Sequence, residues 1–248
     1  MSPSTIAASS RSLTASAPSL LSLVPTKINS SKDLLEWIHT QGRVAVKPPN
    51  IPTLRNRDKH EPNIVATIQK YLKKLEYNSL TPALTHITKS LPFCNLMREG
   101  QHLVRRGCLI KCLEAVVVSI YLTNRVAALD RIPLGFVSEE NGATRRHIVL
   151  LVRMGAAWGC LGLSRKDELS GRAMGAFHDV VALIRDYHGA YTANGHVLRR
   201  FSLGDRVTHD AESVERVNWT HTVVKMGDGG SWSDGQTDAV RRWARACL

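Results

Sequence analysis

Residues Lys111–Thr123 constrain the fold of this chain more than any other segment. The run is helical in pattern and apolar on nearly every side. A helix of that kind has no face to offer water and belongs at the centre of a fold. It opens on Cys112, in the first turn, where unpaired backbone N–H groups and the positive end of the dipole favour a thiolate. Lys111 adds a positive charge beside it. Cys108, one turn earlier in sequence, lacks that placement.

After this helix the period changes. Ile132–Val137, Arg146–Arg153 and Trp158–Leu163 are short β-branched or aromatic runs between turn residues, and read as strands. Phe177–Tyr191 returns to a helix, and Val197–Phe201 and Val214–Trp219 read as two further strands. Upstream, Ile64, Ile68, Tyr71, Leu72 and Leu75 repeat at helical spacing, giving a helix from near Pro62 to about Tyr77, followed by a shorter one over Leu80–Thr88. The reading is an α+β fold with a helical N-terminal part. Residues 1–31, rich in Ser, Ala and Pro and without Asp or Glu, read as a disordered tail. Residues 32–61 hold a short amphipathic helix, with Leu34, Trp37 and Ile38 on one face, and a stiff linker at Lys47–Pro52. The main domain is expected over 62–224. Past Lys225 comes a tail of loop, closed by a helix at Thr237–Cys247.

Charge narrows the partners. A formal net charge of +12 over 248 residues favours anionic ones. Lys and Arg are dispersed rather than gathered in one basic block, and there is no aromatic RNA-binding signature, which argues against nucleic acid. No run approaches the roughly 18 apolar residues of a membrane span. Five cysteines without a CxxC pair fit neither a disulfide framework nor a zinc ribbon, and point to reduced thiols in a cytosolic protein. Without an HExxH motif or a His/Cys cluster at ligand spacing, no metal or other cofactor is expected.

A partner for Cys112 emerges from strand register. The tight segment Met154–Ala157 would join two strands with Arg153 opposite Trp158. Opposed residues in an antiparallel pair keep a constant index sum, here 311, which sets His147 against Ser164 on one face. An imidazole near a thiol activates it, and a third group fixes the imidazole tautomer. A buried helix opening on Cys, followed by an antiparallel hairpin carrying His, is the arrangement of papain- and transglutaminase-like cysteine proteases.

The motifs also carry a family resemblance. Lys111-Cys112-Leu113-Glu114-Ala115-Val116 with Ile120-Tyr121-Leu122-Thr123-Asn124 resembles the cysteine motif of the vasohibins. Arg146-His147-Ile148-Val149-Leu150 resembles their histidine motif, and Leu161-Gly162-Leu163-Ser164-Arg165 their serine motif. The intervals, 35 residues from Cys to His and 17 from His to Ser, fit without gaps. Ala190-Tyr191, His196-Val197-Leu198, His209-Asp210, Ser213-Val214-Glu215 and Trp219-Thr220-His221 continue the similarity, which covers roughly 62–224.

The resemblance implies a transglutaminase-like cysteine peptidase that removes the C-terminal tyrosine of α-tubulin on cytoplasmic microtubules. It implies Cys112 as nucleophile, His147 as proton shuttle and Ser164, through its hydroxyl or its backbone carbonyl, as orienter. Lys111 and Arg165 match carboxylate-binding positions, Lys89 matches another basic site residue, and Tyr77 matches a tyrosine able to join the Cys112 N–H as an oxyanion donor. The basic balance then reads as steering of an acidic tubulin tail. A small vasohibin-binding protein is implied at the N-terminal helix, where Trp37, His39, Gly42 and Val44 match. Two departures, Thr144-Arg145 in place of aromatic residues and Ser79-Leu80-Thr81-Pro82 after Asn78, fall at the substrate pocket and leave the strictness for tyrosine open. The alternatives are a catalytically silent microtubule-binding module and a basic nucleic-acid-binding protein.

Overall fold

A computed structural model describes residues 20–38, 40, 49–52, 63–80, 87–107 and 109–247. Two short helices come first, α1 (Leu20–Leu23) and α2 (Ser31–Trp37). Ser30 caps α2 by accepting the Asp33 N–H. Leu34 and Ile38 bury against Leu109, as the amphipathic pattern requires. The stretch 1–19, the first two residues of the Pro-rich linker and most of the helix expected at Leu80–Thr88 lie outside the described residues. Of that last segment, the described ends Leu80, Ile87 and Thr88 are not helical.

Helix α3 (Asn63–Leu75) follows the expected stripe, with Ile64, Ile68, Tyr71, Leu72 and Leu75 all buried. The next helix, α4 (Phe93–Arg106), has no counterpart in the sequence reading. Its buried row runs Phe93, Leu96, Gly100, Leu103 and Val104, so the apolar periodicity is interrupted where α4 comes closest to its neighbour. A Cβ on Gly100 would stand 2.6 Å from the Cβ of Tyr121. The missing side chain that hides the pattern is what permits the contact.

The central helix is α5 (Cys112–Thr123), buried from Glu114 through Ile120. Ser119 and Thr123 satisfy their hydroxyls on carbonyls one turn back, Ala115 and Ser119, both at 2.7 Å. That is how polar residues survive in a buried helix.

The sheet has six strands in the order β4-β3-β2-β1-β5-β6, every pair antiparallel. They are β1 (Asp130–Glu140), β2 (Ala143–Met154), β3 (Ala157–Leu161), β4 (Arg172–Phe177), β5 (Val197–Leu203) and β6 (Thr222–Lys225). Asn141 and Gly142 turn β1 into β2 with φ of 50° and 74°, the positive values a two-residue hairpin demands. Alternation along β2 separates two cores. Ile148, Leu150 and Val152 face α3, α4 and α5. Val149 and Leu151 face α6 (Val180–Ala193) and α7 (Asp234–Cys247) on the other side.

Two expectations need correction. Phe177 ends a strand, and the following helix starts at Val180 behind an Asp179 cap. Val214–Trp219 is not a strand: Val214 is 76% exposed, and the segment contributes a single bridge from Arg216 to Pro92. The sixth strand lies instead at Thr222–Lys225. Past 225 the chain packs into the second core through Val240 and Trp243, whose indole donates to the Gly204 carbonyl at 3.2 Å.

Candidate active site

Strand register creates an opening. The β2–β3 ladder keeps the expected index sum, with Arg153 opposite Trp158, but stops at Leu150–Leu161. Beyond it Gly162 turns away and is held by Gln69 of α3. That amide donates to the Gly162 carbonyl at 2.8 Å and accepts its N–H at 3.1 Å. His147 and Ser164 are therefore not ladder partners, although both line one cavity of about 150 Å³.

The start of α5 reaches this opening. Its first turn is fixed by Glu114, whose carboxylate accepts the Lys111 N–H at 2.7 Å. The backbone N–H groups of Ile148, Leu113 and Cys112 itself act on the Cys112 sulfur in the direction that lowers its pKa. The expected pull of the helix start toward a thiolate is opposed by burial. Burial raises the Cys112 pKa, and the three N–H groups and nearby Lys111 only partly offset it.

His147 is likewise held neutral. Burial lowers its pKa to about 4, opposed by a hydrogen bond to the Leu169 backbone and assisted by the charge of Arg172. Nε2 lies 2.8 Å from the Leu169 carbonyl. A carbonyl only accepts, so Nε2 carries the proton and Nδ1 is the basic nitrogen. Leu169 closes a short 3-10 turn, Asp167–Leu169. The turn is anchored by the Tyr187 hydroxyl on the Ser170 carbonyl at 2.5 Å and by Gly171 N–H on the Gly162 carbonyl at 3.2 Å. Ser164 belongs to the same loop. Its hydroxyl accepts from Lys166 N–H at 3.3 Å, and its own N–H donates to Ser170 Oγ at 3.1 Å.

The remaining expected residues gather here too. Asn78 N–H donates to the Ile110 carbonyl at 2.8 Å and Ile110 N–H to the Glu76 carbonyl at 3.1 Å, which brings Tyr77 beside the start of α5. Lys111 Nζ donates to the Asn78 carbonyl at 2.9 Å and stands 5.6 Å from the centre of the Tyr77 ring. Burial lowers the Lys111 pKa and raises that of Tyr77. Arg165 lines the same cavity as Tyr77 and His147. Lys89 lies over Trp219, 5.4 Å from the ring centre. It borders a neighbouring cavity of about 260 Å³ that shares Arg146 and His147 with the first and adds Arg200.

Several site residues escape sequence reasoning. The Leu169 carbonyl is a backbone atom at a leucine, and carries no side-chain signal. Gln69 sits on the partly buried side of an otherwise ordinary helix. The far wall of the first cavity is polar: Ser138 Oγ lies 3.0 Å from His196 Nδ1, and Glu140 lies 3.4 Å from His196 Nε2 and 3.2 Å from Arg145 Nε. These residues come from β1, β2 and the start of β5, so only the strand pairing unites them. Cys108, the weaker thiol candidate, lies outside the described residues; Cys94, Cys112, Cys160 and Cys247 are free thiols.

Asp205, His221 and Cys247 bring ligand atoms within 4.8 Å of one another, a grouping that sequence spacing does not reveal. The Asp205 carboxylate is engaged there by His221 Nδ1 at 2.7 Å and Asn218 Nδ2 at 2.8 Å. Among the described residues, no helix is long and apolar enough to cross a membrane.

Comparison with known proteins gives two matches. The family model for vasohibin matches residues 19–245. Tubulinyl-Tyr carboxypeptidase 1 of Mus musculus is 38% identical over 178 residues, which make up 72% of this chain and 47% of the mouse protein. The chain thus spans about half the length of the curated relative it matches.

Proposed function

The chain belongs to the vasohibin family, and from that premise we propose that it is a cysteine-type carboxypeptidase that removes the C-terminal tyrosine of α-tubulin. The observation that carries the reading is a neutral His147 whose Nε2 proton is committed to the Leu169 carbonyl, which leaves Nδ1 as the basic nitrogen.

In this mechanism His147 Nδ1 takes the Cys112 proton as the sulfur attacks the last peptide carbonyl. The carbonyl oxygen becomes an oxyanion facing the Cys112 N–H and the Tyr77 hydroxyl. Protonated His147 then gives its proton to the departing amino group, the C–N bond breaks, and a thioester on Cys112 remains. Water, deprotonated by His147, hydrolyses the thioester and restores the thiol. Lys111 and Arg165 hold the free carboxylate of the leaving residue. Lys89, Arg146 and Arg200 line a path for the acidic residues before it. The core is read as papain/transglutaminase-like, with α5 presenting the nucleophile to an antiparallel sheet. Ser164 supports the Leu169 turn rather than touching the imidazole.

A small vasohibin-binding protein is proposed at α2. Leu34 and Ile38 are already committed to Leu109, so such a partner would use the outer face of that helix. His39, Gly42 and Val44 lie outside the described residues.

Mass spectrometry of the α-tubulin tail on microtubules tests the function, using the chain and Cys112→Ala, each with and without the small vasohibin-binding protein. Loss of tyrosine with the former alone is the expected result. An unchanged tail under every condition would favour the silent microtubule-binding module instead.

A further inference from the structure

Tyr191 sits on the last turns of α6 and is 1% exposed. Its ring is fixed by two aromatic neighbours. The centroids lie 5.2 Å from Phe136 at 51°, and 5.6 Å from His196 at 72°. Phe136 in turn lies parallel to the His147 ring, 14° between planes and 6.3 Å between centroids. Tyr191 thus borders the 150 Å³ cavity together with Tyr77, His147, Ser164 and Arg165.

Its hydroxyl, however, is buried and has no hydrogen-bond partner among the described residues. Tyr187, one turn earlier and equally buried, shows the ordinary outcome, since its hydroxyl donates to the Ser170 carbonyl. A phenylalanine would fill the Tyr191 site as well and spare the molecule an unsatisfied polar atom. Burial raises the Tyr191 pKa. The hydroxyl stays protonated at any physiological pH, on a residue that lines the cavity.

We propose that Tyr191 is a further catalytic residue of this site, its hydroxyl donating a hydrogen bond to the reacting carbonyl oxygen as that oxygen gains charge. Tyr191 then acts alongside Tyr77, one donor from each side of the cavity. A neutral buried donor is well suited to the task, because its bond strengthens as negative charge develops and no water competes for it. The proposal rests on the reading of Cys112 as a peptidase nucleophile.

The test is Tyr191→Phe, which removes one oxygen and keeps the ring contacts. For hydrolysis of a tyrosine-ended tail peptide, kcat falls about 100-fold or more, with little change in KM and a Tm equal to or above that of the parent. An unchanged kcat, a loss confined to KM, or a lowered Tm overturns the proposal. An epoxysuccinyl probe supplies a second readout that needs no tubulin tail. Attack by the Cys112 sulfur forms a C–S bond, breaks a ring C–O bond and leaves an alkoxide that needs a donor. Inactivation by the probe therefore slows in Tyr191→Phe at equal probe binding, and Cys112→Ala takes no label. A parent protein that reacts with the probe but spares the tail refutes the substrate alone, and the probe still judges Tyr191. Equal probe rates in parent and variant, or no reaction in either, overturn the assignment.

Discussion

The Nε2 atom of His147 lies 2.8 Å from the carbonyl oxygen of Leu169, so the imidazole is oriented by a backbone atom of the 3-10 turn. A carbonyl is uncharged and stabilises an imidazolium less than a carboxylate does. It still selects the tautomer, which is the geometric half of the task performed by Asp in a serine protease triad. A side-chain substitution cannot delete it.

Ser164→Ala is accordingly expected to cost far less activity than loss of His147, about 10-fold or less, because the hydroxyl accepts from Lys166 N–H. His147→Ala removes the base and costs on the order of 10³-fold or more. Steady-state hydrolysis of a tyrosine-ended tail peptide separates the two. Equal losses would return Ser164 to direct contact with His147.

The pH dependence follows from two neutral groups. His147 must be unprotonated to act as base, and burial lowers its pKa to about 4. Activity is therefore retained as pH falls through the usual histidine range near 6.5 and is lost only as pH approaches about 4. The Cys112 thiol, raised by burial, is alkylated slowly by chloroacetamide at neutral pH and faster as pH rises past the ordinary thiol range. A plateau of fast alkylation reaching down to pH 5 would instead reveal a resting thiolate–imidazolium pair.

Glu114 is 2% exposed and caps the helix that carries the nucleophile, accepting the Lys111 N–H at 2.7 Å. Glu114→Ala is expected to cost about 1–3 kcal/mol in urea denaturation. It also releases the first turn of α5, so kcat falls further than the stability loss explains. Full activity in a folded variant would show that Cys112 is positioned without this cap.

Arg131 is fully buried and has no carboxylate partner among the described residues. Nη1 donates to the Ile120 carbonyl at 3.0 Å and to Asn124 Oδ1 at 3.2 Å, and Nη2 to the carbonyls of Val207, at 3.3 Å, and Thr208. It ties the end of α5 to the 207–208 segment and places a cation at the negative end of the helix dipole. Burial lowers its pKa to about 10, so it remains charged at neutral pH. Arg131→Lys, with too few donors for these acceptors, is expected to destabilise the fold by about 2–4 kcal/mol. A change within about 0.5 kcal/mol, the range of ordinary surface substitutions, would contradict this role.

The legible parts of the sequence were those with unbroken patterns. Helix α5 has apolar residues on nearly every side, α3 has a full stripe, and the Met154–Ala157 turn fixed the β2–β3 register that the ladder keeps. What escaped lacks such marks. Helix α4 hides behind Gly100, and β4 is an edge strand whose sequence contains Gly175 at φ 83°. The early end of β3 depends on Gly162, where a Cβ would stand 2.7 Å from a Val149 methyl, and on Gln69 from a distant helix. The same holds at the site. Cys112, His147 and Arg165 announce themselves by residue type, whereas the Leu169 carbonyl, the Ile148 N–H and the unsatisfied Tyr191 hydroxyl are visible only once the chain is folded.

The central claim is that Cys112 forms a thioester with the tail as tyrosine leaves, and neutral hydroxylamine tests it most directly. Added during turnover of a tyrosine-ended α-tubulin tail peptide, it should intercept the thioester, giving a tail one residue shorter that ends in a hydroxamate, with free tyrosine released. Cys112→Ala should give neither product. Tyrosine release that is unaffected by Cys112→Ala, or a shortened tail that never carries the hydroxamate at any hydroxylamine concentration, would contradict the account.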